Sequence, residues 1–249
     1  MNVAGEHVRM DLDISYGSLT SKGERLVNED YLGVVRTSDI TSFILCDGLG
    51  GHGKGDVASQ FVVEQMTTAL ESGMTIENSI VNAQKKLLIK QEQENAKDSM
   101  KTTVTCLSIS GVKARFGYVG DSRIYHFEKG KYKMRSQDHS VPQMLANRGD
   151  IKEKDIRHHE DRSRLLRVMG SEWNDPKYQM VDGIRITGHT SFLLCSDGFW
   201  ELIDEKKMCK TLKRSSTPEE WLASMEEIIL KNGRGTNMDN YSAIAVFIR

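Results

Sequence analysis

The chain has 249 residues, of which 28% are charged and 38% hydrophobic, and its formal net charge at pH 7 is −1. A chain of this length buries roughly 70–75% of its unfolded surface, so its core needs no disulfide or structural metal. A charge so close to zero gives no general attraction to nucleic acid or to an anionic membrane, and we expect neither as a partner.

The apolar segments and the cysteine spacing exclude further classes. No run approaches the roughly 18 apolar residues of a membrane span, and the N-terminal stretch lacks the apolar block of a secretory signal. Cys46, Cys106, Cys195 and Cys209 show no Cys-x-x-Cys spacing, so we expect buried thiols and neither a zinc site nor disulfides. We expect a cytoplasmic protein with a single domain over residues 1–249, in which residues 1–10 form a tail.

Apolar patterning predicts the secondary structure in chain order. Runs rich in β-branched and aromatic residues predict strands over Tyr31–Arg36, Ser42–Cys46, Thr102–Ile109, Ala114–Val119, Arg123–Glu128, Lys131–Arg135, Ser191–Cys195 and Tyr241–Ile248. Helical spacing predicts helices over Asp56–Leu70 and Ile76–Gln91, and a late helix after the capping pair Thr217-Pro218. The four strands between Thr102 and Arg135 are joined by short turns, which predicts an antiparallel meander and not a β-α-β series.

The glycine-rich stretch that begins at Asp47 fits three kinds of site. Its glycines match a dinucleotide fingerprint, and with Lys54 they match a phosphate loop, but Gly55 stands where a phosphate loop needs Ser or Thr. The meander argues against the parallel sheet of a dinucleotide fold. Asp47 would also repel incoming phosphates in either nucleotide site. The third interpretation, a metal-binding turn, is therefore favoured.

Aspartates recur at the ends of apolar strands. Asp47-Gly48 and Asp197-Gly198 each follow such a strand, and Asp239 comes just before the last one. A strand holds a carboxylate rigidly at its tip, and the glycine lets the backbone bring a carbonyl close to an ion. Hard oxygen ligands of this kind suit Mg²⁺ or Mn²⁺ and would not suit Zn²⁺.

Five short motifs occur in a fixed order along the chain: Arg25-x-x-Asn28-Glu29-Asp30, Asp47-Gly48-x-Gly50-Gly51-x-x-x-Gly55, Gly120-Asp121-Ser122-Arg123, Ser196-Asp197-Gly198 and Asp239-Asn240. Together they resemble the motifs of the metal-dependent protein phosphatases of type 2C, in their bacterial branch. The resemblance implies an α+β fold, a four-layer α-β-β-α sandwich of two antiparallel sheets flanked by helices, with a metal cleft at one end. It also implies hydrolysis of phosphoserine and phosphothreonine in proteins by a metal-activated water.

The resemblance implies a catalytic centre built on three aspartates. Asp47 is expected to bridge two metal ions, and the Gly48 carbonyl is expected to bind one of them. Asp197 and Asp239 are expected to bind the other. The implied cofactors are two Mn²⁺ or Mg²⁺ ions per chain, and a third ion is left open.

Further positions complete the implied site. Glu29 or Asp30 is expected to contribute to the metals directly or through water. Arg25 is expected to be a catalytic and substrate-binding residue, because its planar fork matches the oxygens of a phosphate. Asp121 is expected to join Asp197 at the third metal.

Four more features concern the surroundings of this site. Eukaryotic members of the family place His directly after the first Asp-Gly, where this chain has Leu49; His52 is the alternative general acid, and metal-bound water is favoured over it. Glu201 is a further candidate for the third metal, whereas Arg123 is expected to be a structural ion-pair partner. The charged stretch Lys152–Arg164 is either a solvated surface segment or a flap beside the site.

The expected partners are phosphorylated protein substrates, among them a Ser/Thr protein kinase, and the chain is expected to be a monomer. Two alternatives stay open at this point. One is a catalytically weak module of the same fold that binds phosphoproteins, which the retained aspartates disfavour. The other is hydrolysis of a small phosphate ester, which an enclosed pocket would favour over an open cleft.

Overall fold

The computed structural model describes residues 12–97 and 99–249, and within them it shows ten strands and six α-helices. The strands are β1 (Ile14–Ser21), β2 (Asp30–Arg36), β3 (Thr41–Asp47), β4 (Val104–Ser110), β5 (Lys113–Val119), β6 (Arg123–Glu128), β7 (Lys131–Arg135), β8 (Gln179–Arg185), β9 (Thr190–Cys195) and β10 (Tyr241–Ile248). The helices are α1 (Gly55–Glu71), α2 (Ile76–Gln93), α3 (Val141–Arg148), α4 (Asp197–Trp200), α5 (Glu205–Leu212) and α6 (Pro218–Gly233). Short 3₁₀ turns cover Gly50–His52 and Glu153–His158.

The strands form two antiparallel sheets of five strands each. The first sheet has the order β1-β10-β9-β6-β7, and the second has the order β2-β3-β4-β5-β8. One apolar cluster joins the facing sides of the two sheets, a second joins the second sheet to α1 and α2, and a third joins the first sheet to α4, α5 and α6. The predicted four-layer α-β-β-α sandwich is confirmed.

Continuous apolar strands reflect burial of both faces of each sheet. Successive side chains of a strand point to opposite faces. In β3, Phe43 and Leu45 therefore pack between the sheets while Ile44 and Cys46 pack under α1 and α2. Strands β9 and β10 alternate in the same way, so both faces of the central strands are mainly apolar.

The meander predicted between Thr102 and Arg135 is wrong at its centre. Strand β4 pairs with β5 in the second sheet, but β6 pairs with β7 and β9 in the first sheet. The short link from Gly120 to Ser122 crosses from one sheet to the other. The short turn predicts a hairpin, but it joins two layers and places Asp121 between them.

Several elements were not predicted. Strands β1 and β8 are edge strands that carry Gly, Ser or Asp and have only one buried position each, so they lack a continuous apolar run. The short helices α3 and α5 have eight residues each, too few for a clear helical period. Both helices begin after a residue type that commonly caps helices. Ser140 and Asp204 accept hydrogen bonds from backbone N–H groups of the first turn, and they were the available signal in the sequence.

The registers of both sheets bring the acidic turns to the same end of the sandwich. Asp30 at the start of β2 lies opposite Asp47 at the end of β3. In the first sheet, Cys195 lies opposite both Arg123 and Ala243, so the turns before β6, after β9 and before β10 meet. The fold thus gathers five separate acidic segments at one edge.

Two predictions concern the whole chain, namely the absence of a membrane span and the single domain. Across the described residues, no helix combines the length and the apolar composition that crossing a bilayer requires. The single domain over residues 1–249 stays a prediction, and the predicted tail over residues 1–10 lies outside the described residues.

Candidate active site

A cleft of about 630 Å³ opens at the acidic end of the sandwich. Most of the predicted site residues line it, namely Arg25, Glu29, Asp47, Gly48, Asp121, Asp197 and Asp239. Asp30 belongs to the same group of acids but is only 6% exposed. The structure therefore brings these residues to one place, whereas Glu201, the further candidate for the third metal, does not line the cleft.

Backbone contacts fix the tip of β3 that carries Asp47. The Asp47 N–H donates to Thr103 Oγ1 at 3.1 Å, and its carbonyl accepts from Thr102 Oγ1 and from the Thr103 N–H at 2.8 Å each. On the opposite side of the cleft, Asp197 begins α4, and the indole N–H of Trp200 in that helix donates to the Asp121 carbonyl at 3.0 Å. The carboxylates thus stand on rigid supports.

Asp30 lies beneath the cleft with only part of its carboxylate satisfied. Its Oδ2 accepts a hydrogen bond of 2.8 Å from Ser196 Oγ, whereas its buried Oδ1 has no hydrogen-bond partner. Ser196 Oγ also accepts from the Ser242 N–H at 2.9 Å. This serine, whose role the sequence did not reveal, joins the two sheets below the acids.

Burial and mutual repulsion make the aspartates hard to ionise together. Loss of solvation, the largest cause at every one of these positions, raises the pKa of Asp30 to about 6 and that of Asp121 to about 7. The pKa values of Asp47 and Asp197 rise well above their ordinary range for the same reason, and the neighbouring carboxylates add to the effect. A site of this kind holds more negative charge than it can stabilise alone.

Glu29 occupies a different position from the aspartates. Its carboxylate lies against the backbone N–H groups of Gly55 and Asp56 at the start of α1, and burial still raises its pKa. A Cβ atom added at Gly55 would come within 2.8 Å of Glu29 Oε1, and one at Gly50 would collide with Oε2. The glycines after Asp47 therefore make room for this carboxylate.

Arg25 is bound to the carboxylate of Asp239. Its Nε and Nη2 donate to Oδ1 and Oδ2 at 3.0 Å each, and both side chains are nearly half exposed. The predicted phosphate clamp thus lies at the mouth of the cleft, next to the acids. Its fork already makes the paired contact that an oxyanion would accept.

The neighbouring Asn240 fastens the loop that carries Arg25. Its amide nitrogen donates to the carbonyls of Lys22 and Val27 at 2.9 Å each, and its Oδ1 accepts from the Glu29 N–H at 2.8 Å. The sequence placed Asn240 in a motif without a role. Its position directly after Asp239 was the available signal.

The donor set fits hard divalent cations. Among the described residues that line the cleft the candidate ligands are oxygen atoms, one buried oxygen of Asp30 is unpartnered, and Asp47 and Asp197 repel neighbouring carboxylates. Within the described part of the chain, no three His, Cys, Asp or Glu side chains converge tightly enough to enclose an ion. Mg²⁺ commonly keeps several waters and takes only one or two carboxylates, so an enclosing cage is not required.

The residues around the site have definite partners. Arg123 is the structural ion-pair residue that was predicted, since it makes two bonds of 2.8 and 2.6 Å to Asp138. Glu201 accepts from Arg162 at 2.9 Å, which ties the charged stretch Lys152–Arg164 to the end of α4. Ser163 and Leu165 line the cleft, so this stretch does border the site. The side chain of His52 lies outside the described part of the structure.

Comparison with known proteins agrees with this geometry. A family model described as protein phosphatase 2C matches residues 21–231. The serine/threonine phosphatase stp of Listeria monocytogenes is 32% identical over 206 residues, which cover 78% of this chain and 80% of that protein.

Two solved structures share the fold. The serine/threonine phosphatase Stp1 from Staphylococcus aureus has a TM-score of 0.85 at 24% identity, covering 99% of this chain and all of that one. The catalytic domain of the phosphatase PstP, solved in complex with two manganese ions, has a TM-score of 0.78 at 22% identity and covers 95% of this chain and 99% of that one. With the family model and the Listeria relative, the chain is assigned to the protein phosphatase 2C family.

Proposed function

We propose that this chain hydrolyses phosphoserine and phosphothreonine in proteins, as a protein Ser/Thr phosphatase of its family. The observation that carries the proposal is that the arginine fork of Arg25 pairs with Asp239 in the same cleft that Asp47, Asp121 and Asp197 line. Arginine recognises phosphate oxygens, and aspartates recognise the divalent cations that phosphate chemistry commonly uses.

The openness of the cleft favours a protein substrate over a small phosphate ester. The side chains of Arg25 and Asp239 are 46% and 47% exposed. A phosphate group attached to a bulky polypeptide can reach Arg25 without entering an enclosed cavity. Ligand sites for small molecules more often bury most of the ligand surface.

The proposed cofactors are two Mn²⁺ or Mg²⁺ ions, held by Asp47, the Gly48 carbonyl, Asp197 and Asp239, with Glu29 or Asp30 in support. When bound, such ions stabilise the charge on the phosphoryl oxygens and lower the pKa of the attacking water. A third ion at Asp121 and Asp197 belongs to the same proposal. Its support is that Asp121 and Asp197 both line the cleft and that burial raises the pKa of Asp121 to about 7.

Three side chains have proposed roles in binding the substrate and positioning the site. Arg25 binds the phosphate oxygens and orients the phosphorus toward the aspartates. Asn240 positions Arg25 by holding the backbone of its loop. Thr103 fixes Asp47 through the backbone of β3. The hydrolysis thus depends on groups that are placed before the substrate arrives.

The proposal extends to partners and location. Since kinases make phosphoserine and phosphothreonine, a Ser/Thr protein kinase is proposed among the substrates or opposing enzymes. We propose a single-domain monomer in the cytoplasm. All four cysteines are free thiols, which suits a reducing compartment.

The test is release of phosphate from a phosphothreonine peptide with Mn²⁺, with Mg²⁺ and with EDTA. Wild type is expected to need the metal, and Asp197→Ala is expected to lose activity by about 100-fold or more, because a ligand of the centre is removed. Asp182→Ala is the matched control, since Asp182 lies on β8 and pairs with Arg115 away from the cleft.

No metal-dependent release from several phosphopeptides, with folded protein, would contradict the proposal. If the same protein still bound those phosphopeptides, the binding module would take its place. Equal loss of activity in Asp182→Ala would show that the effect of Asp197→Ala is not specific to the cleft.

A further inference from the structure

Two large aliphatic side chains stand uncovered beside the phosphate-binding arginine. Leu26 is 95% exposed and Val27 is 52% exposed, and both line the cleft next to Arg25. Single exposed apolar residues are common on protein surfaces. Leu26 and Val27 differ from such single residues, because they are adjacent and a substrate that enters the cleft would contact them.

The loop that presents these side chains is anchored by hydrogen bonds. Asn240 holds its backbone at Lys22 and at Val27, and the Glu24 N–H donates to the Met238 carbonyl at 3.0 Å. Leu26 therefore projects from a backbone that hydrogen bonds hold on both sides of it.

A second part of the chain adds apolar surface to the same cleft. Leu165 lines it, and Leu166 beside it is 52% exposed. The Leu166 N–H donates to the His139 carbonyl at 2.7 Å, so this segment is also fixed. Two separate segments thus bring aliphatic residues to one opening.

We propose that Leu26, Val27 and Leu165 form an apolar border that binds the substrate polypeptide next to its phosphorylated residue. The enzyme then favours phosphosites with an aliphatic residue within two positions of the phosphothreonine or phosphoserine. This inference rests on the proposed function.

Geometry identifies the occupant of the border. The phosphate fixes the substrate at Arg25, and Leu26 is the next residue along the chain. Successive residues of an extended peptide lie about 3.3–3.6 Å apart, so those one or two positions from the phosphoresidue reach the border. An aliphatic side chain there removes apolar area of both partners from water, which a serine cannot do.

The test compares two phosphothreonine peptides of equal length and charge, one with leucine and one with serine at the two positions on each side of the phosphothreonine. Wild type is expected to show a kcat/KM about five- to tenfold higher for the leucine peptide. The difference is expected in KM, since the contact is remote from the reacting phosphorus. In Leu26→Ser the preference is expected to fall toward one, with an unchanged thermal midpoint because Leu26 is exposed.

Leu230→Ser is the control, because Leu230 is 49% exposed on α6 and does not line the cleft. It is expected to keep the wild-type preference. Equal kcat/KM for the two peptides in wild type, or an unchanged preference in Leu26→Ser, would overturn the inference while phosphate release leaves the proposed function intact. Absence of metal-dependent release from both peptides would contradict the proposed function and remove the inference with it.

Discussion

At the scale of single residues, the placement of Arg25 depends on one buried asparagine. Asn240 is 6% exposed and makes three hydrogen bonds to the backbone of the loop between β1 and β2. No other residue type offers one acceptor and two donors in this compact form. The loop, and with it the proposed phosphate clamp, is therefore held by a single buried amide side chain.

Replacement of this asparagine tests that dependence. Asn240→Ala is expected to lower the free energy of unfolding by about 2–3 kcal/mol, because three backbone groups lose their partner. We expect kcat/KM for a phosphopeptide to fall about 10- to 100-fold. Urea unfolding and steady-state kinetics measure the two effects. Asn232→Ala, which removes one exposed bond to the Leu202 carbonyl, should change both quantities far less.

The raised pKa of Asp121 predicts how the free energy of unfolding depends on pH. Its folded value of about 7 lies above the ordinary value of 3.8. The folded state therefore binds this proton more tightly than the unfolded state, and the associated stability is present below about pH 4 and lost as the pH rises through 7. Asp121→Asn removes this loss, because an amide stays neutral.

In EDTA at pH 8, Asp121→Asn is expected to exceed wild type in free energy of unfolding by about 1–2 kcal/mol, and at pH 4 the two should be equal. His139, whose pKa burial lowers to about 4, has the opposite pH dependence. Its contribution is present in both proteins and cancels in the difference. Lower stability of the variant at pH 8 would contradict the charge repulsion assigned to this group.

At the scale of elements, the link between β5 and β6 decides where Asp121 lies. Gly120 has φ +105°, and a Cβ atom there would approach Thr103 Cγ2 to 2.6 Å. The link is tight because the chain leaves one sheet and enters the other within three residues. A side chain at Gly120 would push the link away from Thr103, which also holds Asp47.

Two glycine substitutions separate the clash from the backbone strain. Gly111 in the β4–β5 turn also has a positive φ, +50°, but no atom lies within 4 Å of an added Cβ. Gly111→Ala is expected to cost about 1 kcal/mol of unfolding free energy. Gly120→Ala is expected to cost about 2–4 kcal/mol and to reduce kcat as well. Equal costs in urea unfolding would show that the contact with Thr103 is unimportant.

The sequence predicted the central elements better than the peripheral ones, for a physical reason. Strands such as β3 and β10 are buried on both faces and carry continuous apolar runs, Phe43–Cys46 in β3 and Ala243–Ile248 in β10. The edge strand β1 is buried only at Gly17 and mixes polar with apolar residues. The crossing at Gly120 could not be read locally, because a hairpin and a sheet-to-sheet link can use the same turn residues.

In the whole molecule, the sandwich brings residues that are far apart in the sequence to one site. Residues near positions 30, 47, 121, 197 and 239 meet because both sheets end at the same edge. The ordered motifs identified the acids of this site. They did not indicate that Arg25 pairs with Asp239, that Glu29 lies at the start of α1, or that Ser196 supports Asp30, because these contacts depend on how the layers pack.

Calorimetric titration of the metal-free protein with Mn²⁺ would show whether this acidic edge is a divalent-metal centre. Wild type is predicted to bind two ions per chain, and Asp47→Asn is predicted to lose most of this binding because Asp47 is one of the residues that would hold them. Asp182→Asn on β8 serves as the control and should bind as wild type does. No saturable binding, or the same binding in Asp47→Asn as in wild type, would contradict a divalent-metal centre at this edge.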